Sequence, residues 1–253
     1  MDFLIGIWNG LLDGLAAILA TFQGVFEPIP LVGAWSWAFS IIALTVVVRV
    51  LLLPLAIKQT RSMRAMQSLK PEIDRIQKKY KADRSMMKTD PEKYRARKQK
   101  QQEETMKLYK EHNVNPLGGC LPLLAQMPIF IAMFRLLTTE RADPLQGEGF
   151  LLVDDLTVNA LQGAGIGAWF LVLAMGITMY VSQRQMMANN PASADNPQMK
   201  IMLYLMPVML TIFAMNFPVG LVLYWVTTNL WTMGQQYVMF RGASAPQPAK
   251  AKS

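Results

Sequence analysis

Cysteine and histidine are nearly missing from this sequence, which has one of each, Cys120 and His112. A single thiol excludes a disulfide framework. One imidazole without a cysteine cluster leaves no metal-ligating set, so no metal and no other cofactor is expected. Acid is missing as well. The four longest apolar tracts, Pro28–Ile57, Asn113–Phe134, Leu156–Gln183 and Ile201–Phe240, hold no Asp or Glu at all. Gly163, Gly165 and Gly167 are spaced like part of a phosphate loop, but no Lys-Ser/Thr follows and no strand pattern precedes. Close helix packing is the better reading. No nucleophile–base constellation stands out either, so no catalytic residue is assigned and an enzyme is not expected. Nor does any Lys or Arg precede Arg49, which argues against the basic n-region of a secretory signal.

What is present is apolar. Hydrophobic residues make up 52% of the 253 and charged ones only 17%, and the charges are gathered rather than spread. Lys58–Asn115 holds 17 of the 25 Lys+Arg and 8 of the 17 Asp+Glu, a local net of +9 against +8 for the whole chain. The remainder reads as membrane spans of an all-α polytopic protein. The spans are expected at about 34–57, 118–137, 164–183, 201–217 and 219–239. The last two are split by Asn216-Phe217-Pro218-Val219-Gly220, read as a tight hairpin. Pro54 near the end of the first span should kink it or free a carbonyl. Ahead of it, residues 1–32 carry Leu4, Trp8, Leu11, Leu12, Leu15, Ile18, Leu19 and Phe22 at helical spacing, with Asn9 and Asp13 on the other side. This suits a helix lying in the membrane interface, the competing reading being a sixth span with Asp13 at mid-membrane.

Within 58–115, Ser68–Lys81 and Glu92–His112 read as two exposed helices packed as a hairpin through Ile73, Ile76, Tyr80, Met106, Leu108 and Tyr109. Asp90-Pro91 supplies a turn and a helix start. The tail, 242–253, is Ala/Pro/Lys-rich and reads as disordered. Charge then sets direction. The connections 58–115 (net +9) and 184–200 (net +1) share a side with Arg241–Ser253 (+3), opposite Met1–Val32 (three acids, no base) and Thr138–Gln162 (five acids, one base). The rule that basic loops stay inside puts the N-terminus outside and the C-terminus in the cytoplasm.

Against this background Arg49 is the most informative residue. It lies nine residues before Lys58 in a span otherwise free of charge, about 13 Å below the interface at 1.5 Å per residue. A charge that deep costs about 2.5–3.5 kcal/mol on insertion scales unless water or a partner meets it, and no carboxylate lies in the spans. Arg49 is therefore expected to face a wet cavity that something polar or anionic visits. The other reading is an arginine held for packing or snorkelling to headgroups.

Several runs resemble the YidC family of membrane protein insertases. They are Thr45-Val46-Val47-Val48-Arg49-Val50 continuing to Pro54, Asn115-Pro116-Leu117-Gly118-Gly119-Cys120-Leu121-Pro122, Gln126-Met127-Pro128-Ile129-Phe130, and Phe217-Pro218-Val219-Gly220-Leu221-Val222-Leu223-Tyr224-Trp225 with Asn229-Leu230. The resemblance covers roughly residues 33–241, in order, and looks like the short form typical of Gram-positive bacteria, without the large periplasmic domain. A long basic insert around Met86–Gln101 departs from the family. The resemblance implies a five-span insertase core over 33–241, with a cytoplasmic helical hairpin and a hydrophilic groove open to cytoplasm and lipid. Arg49 matches the groove arginine, which would draw the polar flank of a client partway into the bilayer. Clients would be nascent membrane proteins in the bacterial cell membrane. The ribosome, the Sec translocon and the signal-recognition-particle receptor are implied as partners, and no small-molecule substrate.

Other candidates for the groove wall are Thr45, which shares a helix face with Arg49 at a spacing of four, and Gln126, Trp225 and Asn229. Gln126 equally suits interhelical hydrogen bonding, and Trp225 an interfacial belt. Among the methionines at 175, 179, 202, 206, 209 and 215, Met202, Met206 and Met209 are candidates for an adaptable client slide; plain core packing is the alternative for each. The basic hairpin suits anionic lipid and ribosomal RNA equally. Two rival functions remain at this stage: a Sec-dependent assembly scaffold that does not insert by itself, and a small anion transporter, against which stand the lack of an inverted repeat and of a coupling carboxylate.

Overall fold

The computed structural model describes residues 2–80, 89–112, 114, 121–188 and 197–241, with the backbone alone for 2–4, 121–125, 197–200 and 202. The motif run at 115–120, the loop at 189–196 and the tail at 242–253 lie outside the described residues. Secondary structure among those described is helical apart from two isolated bridges, Phe150 with Val153 and Asn159 with Pro218. The fold is an all-α polytopic membrane core.

Helix α2 (Ser36–Leu51) ends at Leu52, whose N–H turns to the carbonyls of Val48 and Val50, and α3 (Leu53–Ser68) restarts with Pro54 in its first turn. The break has the expected cause, since a proline placed there gives no N–H back to the preceding turn. It lets α3 leave the apolar bundle at a new angle. After α3 come α4 (Lys70–Lys79) and α5 (Pro91–Glu111), then α6 (Leu121–Thr138), α7 (Ile166–Ala188), α8 (Pro197–Ala214) and α9 (Val219–Arg241). The expected spans fall on α2 with the start of α3, and on α6, α7, α8 and α9. By length and composition, Gly33–Leu51 and Ile166–Ala188 are each enough to cross a membrane, while α6 and α8 carry shorter apolar stretches, Gln126–Thr138 and Leu203–Ala214.

The bundle is organised around α9, which packs most extensively on α7, next on α2, and also on α6. Every residue from Val219 to Tyr224 is buried, as befits a helix enclosed on several sides. Ile41 and Leu44 of α2, Met133, Leu136 and Leu137 of α6, and Val172 and Met175 of α7 complete the core. Outward, Phe170, Leu173 and Ile177 of α7 and Leu205, Val208, Ile212 and Phe213 of α8 are exposed, a surface suited to acyl chains rather than water. The two helices approach closely at Gly176, where an added Cβ would stand 2.5 Å from Thr211 Oγ1.

Helix α1 (Asp2–Phe26) also has apolar length enough for a span, over Ile5–Phe26. Its wheel divides into three. Leu15, Ala16, Leu19 and Phe22 pack into the core, and Leu12 is buried on the same side. Ile7, Leu11, Ile18 and Val25 form an exposed apolar stripe, and Asn9 and Asp13 lie on the remaining side. Two contacts fix its course. Phe26 meets Phe39 at the start of α2, with ring centroids 6.1 Å apart, and Asp13 pairs with Arg141, just past the end of α6, at 2.8 Å. Phe150, in the same α6–α7 connection as Arg141, packs on Phe39, so both anchors stand at one end of the bundle. They are 13 residues or about 20 Å apart along the helix. Helix α1 packs chiefly on α2 and more lightly on α6.

The connection 139–165 is itself well ordered by hydrogen bonds. Burial raises the Asp155 carboxyl, but donation from the Thr157 hydroxyl and from the backbone N–H groups of Thr157, Gly147 and Val158 outweighs it and holds the group below its ordinary value. Gly163 and Gly165 take positive φ, and a Cβ on Gly167 would stand 2.4 Å from the carbonyl carbon of Leu152. Gly165 and Gly167 serve close packing between loop and helix, while Gly163 serves the turn through its positive φ.

At the opposite end, α3, α4 and α5 share a small core of Met63, Met66, Leu69, Ile73, Leu108 and Tyr109, with Ile76 and Phe240 of α9 against it. The hairpin is thus three helices rather than the two expected. Its base is clamped to α9 by Arg64 over the Phe240 ring at 5.7 Å and by Thr60 Oγ1 on Met239 Sδ at 3.1 Å. The start signal at Asp90-Pro91 works as read, with Asp90 Oδ1 accepting from the Lys93 N–H at 3.1 Å. Met106, expected in the packing, is exposed, and Tyr80 turns its hydroxyl to Glu104.

Candidate functional site

Arg49 stands in the last turn of α2, half-buried. Among the described residues the four ion pairs lie elsewhere, in the hairpin and between Asp13 and Arg141, so no carboxylate comes within 4.0 Å of its guanidinium. Its electrostatic neighbour is the hydroxyl of Tyr224 on α9. Tyr224 is 3% exposed and accepts a hydrogen bond from Gln126 Nε2 of α6. Three helices thus bring together a cation, a phenol and an amide. The phenol and the amide satisfy one another, and among the described residues no carboxylate meets the cation.

The other candidates disperse around this centre. Thr45 is buried one turn behind Arg49, and its hydroxyl donates to the Ile41 carbonyl at 2.7 Å. Trp225 turns to α6, where its ring meets Phe130 at 5.0 Å. Phe130 and Phe134 both pack edge-on against Phe217. Asn229 is buried and donates from Nδ2 to Thr178 Oγ1 of α7 at 3.2 Å. It serves as a tie between the two helices that pack most closely. On α8, Met209 is exposed, Met206 is half-buried with Gln183 Nε2 at 3.4 Å from its sulfur, and the Met202 side chain lies outside the described residues.

Toward the hairpin the interior becomes polar. Gln59 Nε2 and Arg64 Nε of α3, Gln183 Oε1 and Gln185 Oε1 of α7, and Gln236 Oε1 of α9 are buried with no protein hydrogen-bond partner among the described residues. An apolar seal would not tolerate five such atoms, each costing about 1–3 kcal/mol when unsolvated. This end of the helix set is compatible with polar occupants.

Two residues escaped the sequence reading. Tyr224 lies beside Trp225 in the quoted run, yet only packing decides which of two adjacent side chains turns toward α2. Arg141 had no signal tying it to Asp13, 128 positions away.

Comparison with known proteins followed from this geometry. The sequence profile described as 60Kd inner membrane protein matches residues 29–246. The membrane protein insertase YidC of Streptomyces avermitilis is 33% identical over 97% of this chain, which spans 61% of that relative's length. The membrane protein insertase MisCA of Bacillus subtilis is 38% identical, over 85% of this chain and 76% of the relative. In Anaeromyxobacter sp. a membrane protein insertase YidC is 42% identical over 85% of this chain, here only 35% of the relative.

Proposed function

The chain belongs to the 60Kd inner membrane protein family, and from that membership we propose that it is a multi-pass membrane protein insertase whose groove is centred on Arg49. The observation that carries the groove is a half-buried guanidinium with no carboxylate partner among the described residues, bordered by Tyr224 and Gln126, in spans that contain no acid. The polar end toward the hairpin is its cytoplasmic mouth. A client arrives there with a hydrophobic segment and a polar flank. Arg49 lowers the energy of drawing an acidic or polar flank inward, and the hydrophobic segment moves along α8, past Met206 and Met209, into lipid. No bond is made or broken. Partition of the client's apolar segment, at about 25 cal/mol per Å² buried, supplies the driving force.

The basic hairpin lies in the cytoplasm, with the N-terminus outside and the C-terminus inside. Helix α1 lies in the outer interface, its stripe of Ile7, Leu11, Ile18 and Val25 toward acyl chains and Asp13 toward water. The hairpin receives the ribosome or the targeting receptor, and the core works alone or beside the Sec translocon, also assisting folding of the inserted client.

The test is reconstitution of the full chain into liposomes with a single-span client bearing a short acidic flank. Flank residues protected from external protease above the level in empty liposomes support insertion. No protection, with client insertion restored only when Sec components are added, would leave an assembly factor instead. Anion flux through the same liposomes would favour the transporter.

A further inference from the structure

At the end of the bundle opposite the hairpin is an open bowl of about 1120 Å³, lined by the last turn of α6, the 139–165 connection, the α8–α9 turn and Asp13 of α1. It is as large as the larger ligand pockets, and its lining mixes Phe134, Leu137, Ala142 and Pro218 with hydroxyls, amides and carboxylates. Glu140, Asp143, Gln162 and Asn216 point into it and are exposed. Asp13 and Arg141 neutralise each other across it at 2.8 Å, so Glu140 and Asp143 leave it net negative. The Asp143 carboxylate keeps one hydrogen bond, from Gln146 Nε2 at 2.8 Å.

The bowl shares two walls with the Arg49 site. Along α6, Gln126 borders that site and Phe134, eight residues on, borders the bowl; along α9, Tyr224 borders the site and Pro218, six residues back, the bowl. The two are about 9–12 Å apart along those helices. Between them stands the aromatic cluster of Phe130, Phe134, Phe217 and Trp225, with centroid separations of 5.0–6.2 Å. Three zones thus follow one another along the same helix pair: cation, aromatic seal, polar bowl.

We propose that the bowl is an exit site that binds the translocated flank of a client once it has passed the aromatic seal, and that it favours extended flanks that are neutral or basic and rich in hydroxyl and amide groups. The inference rests on the insertase reading. Backbone amides of an extended strand find both donors and acceptors there. The net negative charge opposes lingering of acidic flanks, so the acids that Arg49 attracts are released once across. An extended chain covers 9–12 Å in about three or four residues, which sets the register between the two sites.

The experiment places a photo-crosslinking amino acid at Gln162 or Asn216, and in a third protein at Val46 on α2, one turn before Arg49 on the same face. Each full chain is reconstituted into liposomes with a client whose flank carries two Lys, two Glu or neither. Cross-links at Gln162 and Asn216 to flank residues about three or four positions beyond those captured at Val46 are expected. The Lys flank should be captured about three- to fivefold more than the Glu flank, the range of exposed ion pairs. Glu140→Lys combined with Asp143→Lys, both on the surface, should reverse that preference while the client is still protected. Protected flank with no capture at Gln162 or Asn216, or capture indifferent to flank charge in both proteins, overturns the exit site and leaves the insertase reading standing. Absence of protected flank with the unmodified protein overturns both.

Discussion

Replacing Arg49 by Glu should slow insertion in proportion to the acidity of the client flank. The guanidinium is half-buried and among the described residues has no carboxylate within 4.0 Å, so no described partner already spends its field. A client carboxylate brought to about 4 Å gains about 4 kcal/mol at an effective dielectric of about 20. Partial desolvation of that carboxylate and ordering of its chain offset roughly half. The remaining stabilisation, about 2 kcal/mol, corresponds to about 30-fold in the population of the loaded groove. Arg49→Ala should lose most of this for a flank with one Asp. Arg49→Glu should lose more, because attraction becomes repulsion. Arg49→Lys keeps the charge and loses only the planar fork, and should remain within about threefold of the unmodified protein. The assay is the initial rate of protease protection in liposomes for flanks carrying no, one or two Asp, at two salt concentrations. Equal losses for neutral and acidic flanks, or a Lys variant as poor as the Glu variant, would refute the reasoning, because the defect would then be structural and not one of charge.

Tyr224→Phe and Gln126→Leu should each lower the unfolding midpoint in detergent, by about 1 kcal/mol of stability, with the double variant less destabilised than the sum. Additivity would show that the hydrogen bond between them contributes nothing. Asn229→Ala breaks the tie to Thr178 and should cost about 0.6 kcal/mol of stability with insertion rates near normal. A large selective loss of insertion would instead make Asn229 a client contact. The Asp155 carboxyl, held below its ordinary value, contributes stability that is fully present above the unfolded value near 4 and is lost as pH falls through the lower folded one. Proteolysis of the 139–165 connection should therefore accelerate at acid pH. Asp155→Asn should be cleaved faster already at neutral pH, with a flatter profile.

The elements that were legible are those encoded by neighbours in the chain. Pro54 stops α2 because a missing N–H acts within one turn, and Asp90-Pro91 starts α5 by a cap three residues long. The split at Asn216–Gly220 separates α8 from α9 for the same local reason. Arg49 was legible because the cost of a charge in an apolar span depends on the solvent, whichever helix stands opposite. The extension of α3 into the hairpin was less legible. Its Met63 and Met66 become core only once Ile73, Leu108 and Phe240 close over them.

The sequence by itself determined which segments are apolar enough to seek a membrane, where they break, how charge is divided between them, and that one arginine stands among them without an acid. These follow from composition and from interactions a few residues long. Only the tertiary structure decided that Tyr224 rather than Trp225 turns to Arg49, that Asn229 faces Thr178, and that α1 is tied to the α6–α7 connection by the Asp13–Arg141 pair. Each of these depends on the rotation of one helix about its axis against another. Packing of whole faces sets that rotation, and on an enclosed helix such as α9, apolar nearly all round where it is most buried, no periodic pattern records it.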